Sequence, residues 1–264
     1  MDNFEFIQRY YQLQYSIMFD KLVDLEFATI GYCNTDKTSF WNNALVNKIL
    51  SEDEINTIEQ KFKELGRDSS IYFENREDLF ELNKLLTEKG YSKLWEDSWM
   101  FWNDGEVDTS HFNKVRKVMN ETDLKIYLKV FDNSFQNNDP QNPYGELGDY
   151  LKVAEDVWHK HNKTNRIEYF IAYKDDEPVA VSSLTNHAGI GYIANVGSLK
   201  KVRGEGYGRL VSLYCVEKSK KNGNSEHCLA TEENTYPNEF YRSIGFDTRF
   251  TMVGYTKENK NIVH

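Results

Sequence analysis

The chain has 264 residues, 39% apolar and 14% aromatic, enough for a buried core in one large domain or two ordinary ones, and unlike a disordered chain. No run of about eighteen apolar residues occurs, so no membrane-spanning helix is expected. The net charge of -10 is uneven, -11 over residues 1–110 and +1 over 111–264, and this disfavours nucleic acid, whose phosphates need clustered Lys and Arg.

Apolar residues at helical spacing (Phe6, Ile7, Tyr10, Tyr11) predict a helix over 4–19, followed by a short strand at 27–32. Ser51 with Glu54 three residues on forms a capping box, opening a helix that runs to about residue 65 and stops at Gly66. A strand at 70–74 leads to a helix over 78–89, with Leu79, Leu82 and Leu86 on one face. Gly90 closes it before a long strand at 91–102. The turn Asn103-Asp104-Gly105 marks the expected boundary between a first half, 1–110, and a second, 111–264.

The second half begins with a strand at 114–119 and a helix at 121–135. A loop from Asn133 to Gly148, crowded with Asn, Asp, Pro and Gly, leads to a helix from about residue 146 to 161. Strands at 168–173 and 179–185 form a hairpin, and a third at 191–199 feeds a glycine-rich loop and a helix over 208–221. A strand at 226–231, a helix at 237–244 begun by Pro237, and a strand at 248–255 complete the series. Gly90-Tyr91 and Gly245-Phe246 hold equivalent places in two strand–helix–glycine–aromatic–strand units, so the fold is read as a duplicated mixed α/β architecture.

The strongest chemical signal is Val202-Arg203-Gly204-Glu205-Gly206-Tyr207-Gly208-Arg209, joining a strand to a helix. Glycines let successive N–H groups turn inward as an anion nest, and the helix adds its positive end, so a pyrophosphate is the natural ligand. A dinucleotide fingerprint fails because Arg209 stands where its third small residue belongs, and a P-loop fails for want of Gly-Lys-Ser/Thr. Lys200, Lys201, Arg203 and Arg209 ring the loop.

Arg203 to Gly208 resembles, at every defining position, the Arg/Gln-x-x-Gly-x-Gly/Ala motif of the GNAT family of acyl-CoA-dependent N-acyltransferases. Asn234, seven residues before Tyr241, together with Phe240-Tyr241-Arg242-Ser243-Ile244-Gly245-Phe246, resembles the family's second signature. The resemblance covers about residues 114–257, and 1–110 looks like a degenerate copy without the glycine loop, as in tandem members. It implies a central mixed, mostly antiparallel sheet flanked by helices, with acetyl-CoA as acyl donor, no metal, and a small amine as acceptor.

By position the resemblance gives Val196 and Ser198 backbone groups for the pantetheine arm. The pyrophosphate falls to the N–H groups of Gly204, Glu205, Gly206, Tyr207 and Gly208, and an amide near Leu199 would stabilise the oxyanion. Lys200, Lys201, Arg203 and Arg209 are either phosphate contacts or solvated side chains. Tyr241 reads as the general acid or as a core tyrosine, and Asn234 as a helix cap or a pantetheine contact.

The base stays open. The strand at 191–199 carries no Asp, Glu or His, although family members often place a carboxylate near there; His187, Glu232 and Glu233 are candidates that also read as ordinary loop residues. His159 and His161 lack the i, i+4 spacing of a helical metal pair, and Cys33, Cys215 and Cys228 show no Cys-x-x-Cys spacing. Those cysteines, and an N-terminus without a secretion signal, give a cytoplasmic expectation. A silent acyl-CoA sensor and an enzyme acting on protein amino groups remain as alternatives, as do monomer and homodimer.

Overall fold

The structure, a computed structural model, describes residues 2–258. The chain divides into two compact units, one made of residues up to Ser98 with those from Phe250 onward, the other of Trp99–Arg249.

In the first unit, helix α1 (Asn3–Gln14) opens on Asp2, whose carboxylate accepts from the Glu5 N–H. It stops at Gln14 and not near residue 19. The N–H groups of Ile17, Met18 and Phe19 all turn back onto the Gln14 carbonyl, and Ser16 adopts φ 68°. Strands β1 (Lys21–Leu25), β2 (Ala28–Tyr32) and β3 (Asn43–Leu45) follow, and consecutive members pair antiparallel. The sequence reading lacks β1, a strand with no fully buried residue, and β3, only three residues long. Helix α2 (Glu52–Glu64) carries the complete Ser51–Glu54 capping box. Strand β4 (Ser69–Glu74) lies parallel to β3, and helix α3 (Phe80–Glu88) buries Leu82 and Leu86 against Ile55, Ile58 and Phe62 of α2.

Strand β5 (Ser92–Trp102) carries the chain into the second unit, to which its last residues belong. There follow β6 (Val115–Lys117), α4 (Glu121–Ser134), α5 (Asp149–His161), β7 (Ile167–Lys174), β8 (Glu177–His187), β9 (Ile190–Ser198), α6 (Tyr207–Lys221), β10 (Glu226–Glu232), α7 (Tyr236–Ile244) and β11 (Phe246–Lys257). The sheet order in this unit is β5-β10-β9-β8-β7-β6. The β7–β8 hairpin turns on only Asp175 and Asp176, both left-handed at φ 47° and 65°, the geometry that matches strand twist.

Alternation along the strands sorts the helices onto two faces. Tyr169 of β7 stacks on Tyr127 of α4 with ring centroids 4.3 Å apart, and its hydroxyl donates to the Ala154 carbonyl of α5. Its strand neighbour Phe170 points the other way and faces Ser182, which meets Cys215 of α6 at 3.2 Å. Thus α4 and α5 cover one face, and α6 the other.

Strand β11 leaves the second unit and, from Met252↔Glu74 to Lys257↔Ser69, pairs antiparallel with β4 in the first. Met100 and Trp102 of β5 lie in the core of the second unit with Leu229, Tyr241 and Phe246. A cut at residue 110 therefore removes Met100 and Trp102 from their core and leaves the end of β11 without β4. A fragment spanning 111–264 should aggregate or melt without a cooperative transition. A sharp thermal unfolding transition, followed by circular dichroism on a soluble monomeric fragment, would contradict this.

Candidate active site

The site begins with the unequal way β9 treats its two neighbours. Along β8 the antiparallel register slips: Val181 faces Gly197 and Ser183 faces Ala194, so Ser182 alone opposes Asn195 and Val196. This is a β-bulge, with Asn195 left-handed at φ 55° and its side chain accepting a 2.8 Å hydrogen bond from the Tyr150 hydroxyl of α5. On the other edge, β9 runs parallel to β10 only from Ile190↔Glu226 to Tyr192↔Cys228. Among the described residues the two strands pair no further, although they continue to Ser198 and Glu232. They enclose a wedge.

Leu199 fixes which backbone groups face it. Its N–H donates to the Val179 carbonyl at 2.9 Å, so it is engaged with the β8 side and unavailable to polarise a thioester, contrary to the sequence expectation. Antiparallel alternation then turns the backbone groups of Gly197 toward β8 and those of Val196 and Ser198 into the wedge.

At the wedge's end a 3-10 turn, Lys200–Val202, leads into the glycine loop. Gly204 and Gly206 are both left-handed, at φ 80° and 85°, and α6 starts at Tyr207. Two of the loop's N–H groups are used internally: Arg203 donates to Lys200 and Glu205 to Val202. The first helical bond is Leu210 N–H to the Gly206 carbonyl. Among the described residues, the N–H groups of Gly204, Gly206, Tyr207, Gly208 and Arg209 therefore have no protein acceptor. They form an anion nest at a helix N-terminus. A Cβ at Gly204 or Gly206 would meet nothing within 4 Å, so glycine is required here by backbone angle and not by crowding.

The basic rim is mostly neutralised. Arg203 grips Asp139 with two hydrogen bonds, of 2.8 and 2.6 Å, and the Asp139 side chain is only 1% exposed. The Arg203 guanidinium holds the Asp139 carboxyl down to about 2, outweighing burial. Lys200 stands 3.7 Å from Asp139, Lys201 pairs with Glu177, and Glu205 pairs with Lys174 at 2.7 Å. Arg203 is thus a tie between the glycine loop and the 135–148 loop, and the Glu205 side chain turns to Lys174. Arg209 is exposed and has no ion pair among the described residues.

Tyr241, on α7, is buried among Phe240, Phe246 and Cys215. Burial pushes its phenol well up, nearby Tyr144 and Cys215 add to this, and the Ser212 hydroxyl opposes. Asn234 does not cap α7: it is an exposed turn residue at φ 59°, and the cap position belongs to Thr235. The residue securing α7 is Asn238, which the sequence reading missed; it donates to Thr231 Oγ1 of β10 at 3.1 Å.

Of the base candidates, His187 faces Ile190, the start of β9, roughly 26 Å of strand from the glycine loop. Glu233 lies 3.6 Å from Arg242. Glu232 ends β10 at the wedge, half-buried, and burial raises its carboxyl above the usual range. No group of three or more His, Cys, Asp or Glu side chains poised for a metal occurs among the described residues.

The family model for the Acetyltransferase (GNAT) family matches residues 128–246. This segment is a GNAT domain. It takes in the wedge, the nest, Asp139, Glu232 and Tyr241. A GCN5-related N-acetyltransferase from Kribbella flavida is similar over 97% of this chain and 96% of its own, with TM-score 0.66 and 17% identity. A functionally unknown conserved protein from Staphylococcus epidermidis gives TM-score 0.65 and 15% identity over 92% of this chain and 95% of its own. A tandem GNAT protein from the clavulanic acid biosynthesis pathway gives 0.55 and 11%, over 88% and 78%. These are likenesses of fold. No curated protein matches the sequence.

The ion pair that ties the GNAT domain's two loops has a pH signature. A carboxyl depressed in the folded state stabilises it fully above its unfolded value of about 4, and the contribution fades as pH falls through about 2. Asp139→Asn should cost about 1–3 kcal/mol at pH 7, because Arg203 loses a charged partner. The gap to wild type should close between about pH 4 and 2. Thermal melts of both proteins across that range check it, and a gap independent of pH would remove the ion pair as its cause.

Proposed function

We propose that the GNAT domain is an N-acetyltransferase that moves an acetyl group from acetyl-CoA to a primary amine by direct attack, in the cytoplasm. One observation carries the reading: the unpaired edge of β9 ends at an amide nest, and a buried phenol stands beside the same splay. The pantetheine arm pairs with the wedge-facing groups of Val196 and Ser198, as an added strand would. Its diphosphate takes the N–H groups of Gly204, Gly206, Tyr207, Gly208 and Arg209, with the exposed Arg209 side chain, in no ion pair among the described residues, as a further contact. The Val196 N–H, beside the bulge, serves the thioester oxygen in place of Leu199.

Tyr241 gives its proton to the departing thiolate. Its raised pKa keeps the phenol protonated, so that the proton is there to give. Burial pushes the Cys215 thiol, in the same core, up to about 12. That thiol is fully buried and protonated, which argues against a covalent enzyme intermediate.

Residues 1–110 supply a second, degenerate copy without a cofactor site. At the equivalent strand–helix junction, the Val46 N–H still bonds the Tyr72 carbonyl of β4, so β3 and β4 remain closed. The start of α2 is taken by its own side chains: Ser51 Oγ accepts from Glu54 N–H, and Glu54 accepts from Ser51 N–H and pairs with Lys48. Calorimetric titration should accordingly give one CoA per chain, and two sites of similar affinity would overturn that.

Thiol release from acetyl-CoA across an amine panel tests the activity itself; turnover with any amine removes the silent-sensor alternative. Gly206→Val should abolish CoA binding and lower the melting temperature modestly, since the added side chain meets open space but cannot hold the left-handed backbone without strain or rearrangement of the nest. Wild-type affinity in this variant would refute the nest. Tyr241→Phe should lower kcat by about 10²–10⁴-fold while CoA affinity stays within a small factor. A variant less stable by about 1 kcal/mol but nearly as fast would make the hydroxyl structural.

A further inference from the structure

We infer that Glu232 is the general base for the acceptor amine, working on the face of the wedge opposite the phenol of Tyr241; this rests on the acyl-transfer reading above. Strand β10 shows which way the carboxylate points. His227 meets Ser219 of α6 at 2.7 Å, Leu229 packs in the core that includes α6 and α7, and Thr231 accepts from Asn238 of α7. Residues 228, 230 and 232 therefore turn to the other face, shared with α4 and α5. Cys228 is registered with Tyr192, so Glu232, four residues on, stands across the open wedge from the bulged end of β9.

The end of β10 is built and not frayed. The Glu232 N–H donates to the Tyr144 hydroxyl at 3.3 Å, which seats the 135–148 loop on it. Asp139 of that same loop is the partner of Arg203 in the glycine loop. The Tyr144 hydroxyl meets the backbone of Glu232, while the next residue, Glu233, turns to the α7 face and pairs there with Arg242. Among the described residues no Lys or Arg pairs with Glu232 itself, and partial burial strengthens it as a proton acceptor. An amine arriving from the α4/α5 side meets this carboxylate, and the thiolate leaving toward α6 and α7 meets Tyr241.

The protons balance. Glu232 takes one from the ammonium and returns it to water. The freed lone pair attacks the thioester carbon, the C–N bond forms and the C–S bond breaks. Tyr241 protonates the sulfur and is restored by the second proton shed from nitrogen. One proton is released per acetyl transferred.

The test is Glu232→Gln, which keeps the shape and the hydrogen-bonding capacity. Acetyl-CoA affinity by calorimetry and the melting temperature should be unchanged. The kcat/KM for alkyl amines at pH 7 should fall about 10²–10⁴-fold. That deficit should shrink as the pH approaches the amine's own value near about 10, where it deprotonates unaided. Glu232→Asp should recover part of the rate. A Gln variant with wild-type kcat/KM and pH profile overturns the proposal and leaves the acyl-transfer reading standing. So does a variant whose loss of rate is matched by lost CoA affinity or lost stability, since that makes the residue structural. A wild-type protein that binds no acetyl-CoA, or acetylates no amine of the panel, overturns both readings together.

Discussion

Everything at this site depends on β9 parting from β10 after three paired residues. A strand that loses its partner leaves N–H and C=O groups unmatched at a sheet edge, and such groups are costly unless water or a ligand takes them. The opening has an identifiable cause. The bulge at Asn195 and Val196 kinks β9, and the Tyr150–Asn195 hydrogen bond holds the kink from α5. Beyond it, Gly197 passes so close to α4 that a Cβ would sit 2.7 Å from that of Ser134. The bend is thus clamped from one face, and the unpaired edge is a property of the resting fold.

The opening ends at a glycine loop whose anion-binding capacity does not come from net charge. Most cations beside the glycine loop already have carboxylate partners, so their fields largely cancel outside the loop. What remains is a set of amide dipoles fixed by two left-handed glycines and one helix start. Such dipoles act at contact distance and need no net positive charge. Asp139 then contributes through order: by fixing Arg203 it fixes the loop bearing Tyr144, and Tyr144 in turn sits on the end of β10.

The two halves differ at matching strand pairs. Both contain a parallel strand pair with a helix between the strands. In the first the strands stay hydrogen-bonded where those of the second open, and a capping box occupies the start of its helix. A box of that kind gives helix stability at the expense of an anion site.

Local signals carried much of this into the sequence. The capping box at Ser51, the glycine loop, Pro237 and Gly245 each act within a turn of chain, so α2, α6, α7 and the nest were legible without tertiary information. Where structure depends on partners, the sequence was silent or misleading. Strand β3 exists only because β2 and β4 flank it, and α1 ends early because Gln14 gathers three amides that no periodicity reveals. Arg203 read equally as a phosphate contact or a solvated side chain, and its partner Asp139, sixty-four residues away, came from neither reading. Leu199 looked like an oxyanion donor until the β8 register used its N–H, and which face of β10 carries Glu232 follows only from the partners of its strand neighbours. Spacing along the chain fixes which groups can bind an anion; which of them are free to do so is decided by hydrogen-bond partners that only folding brings together.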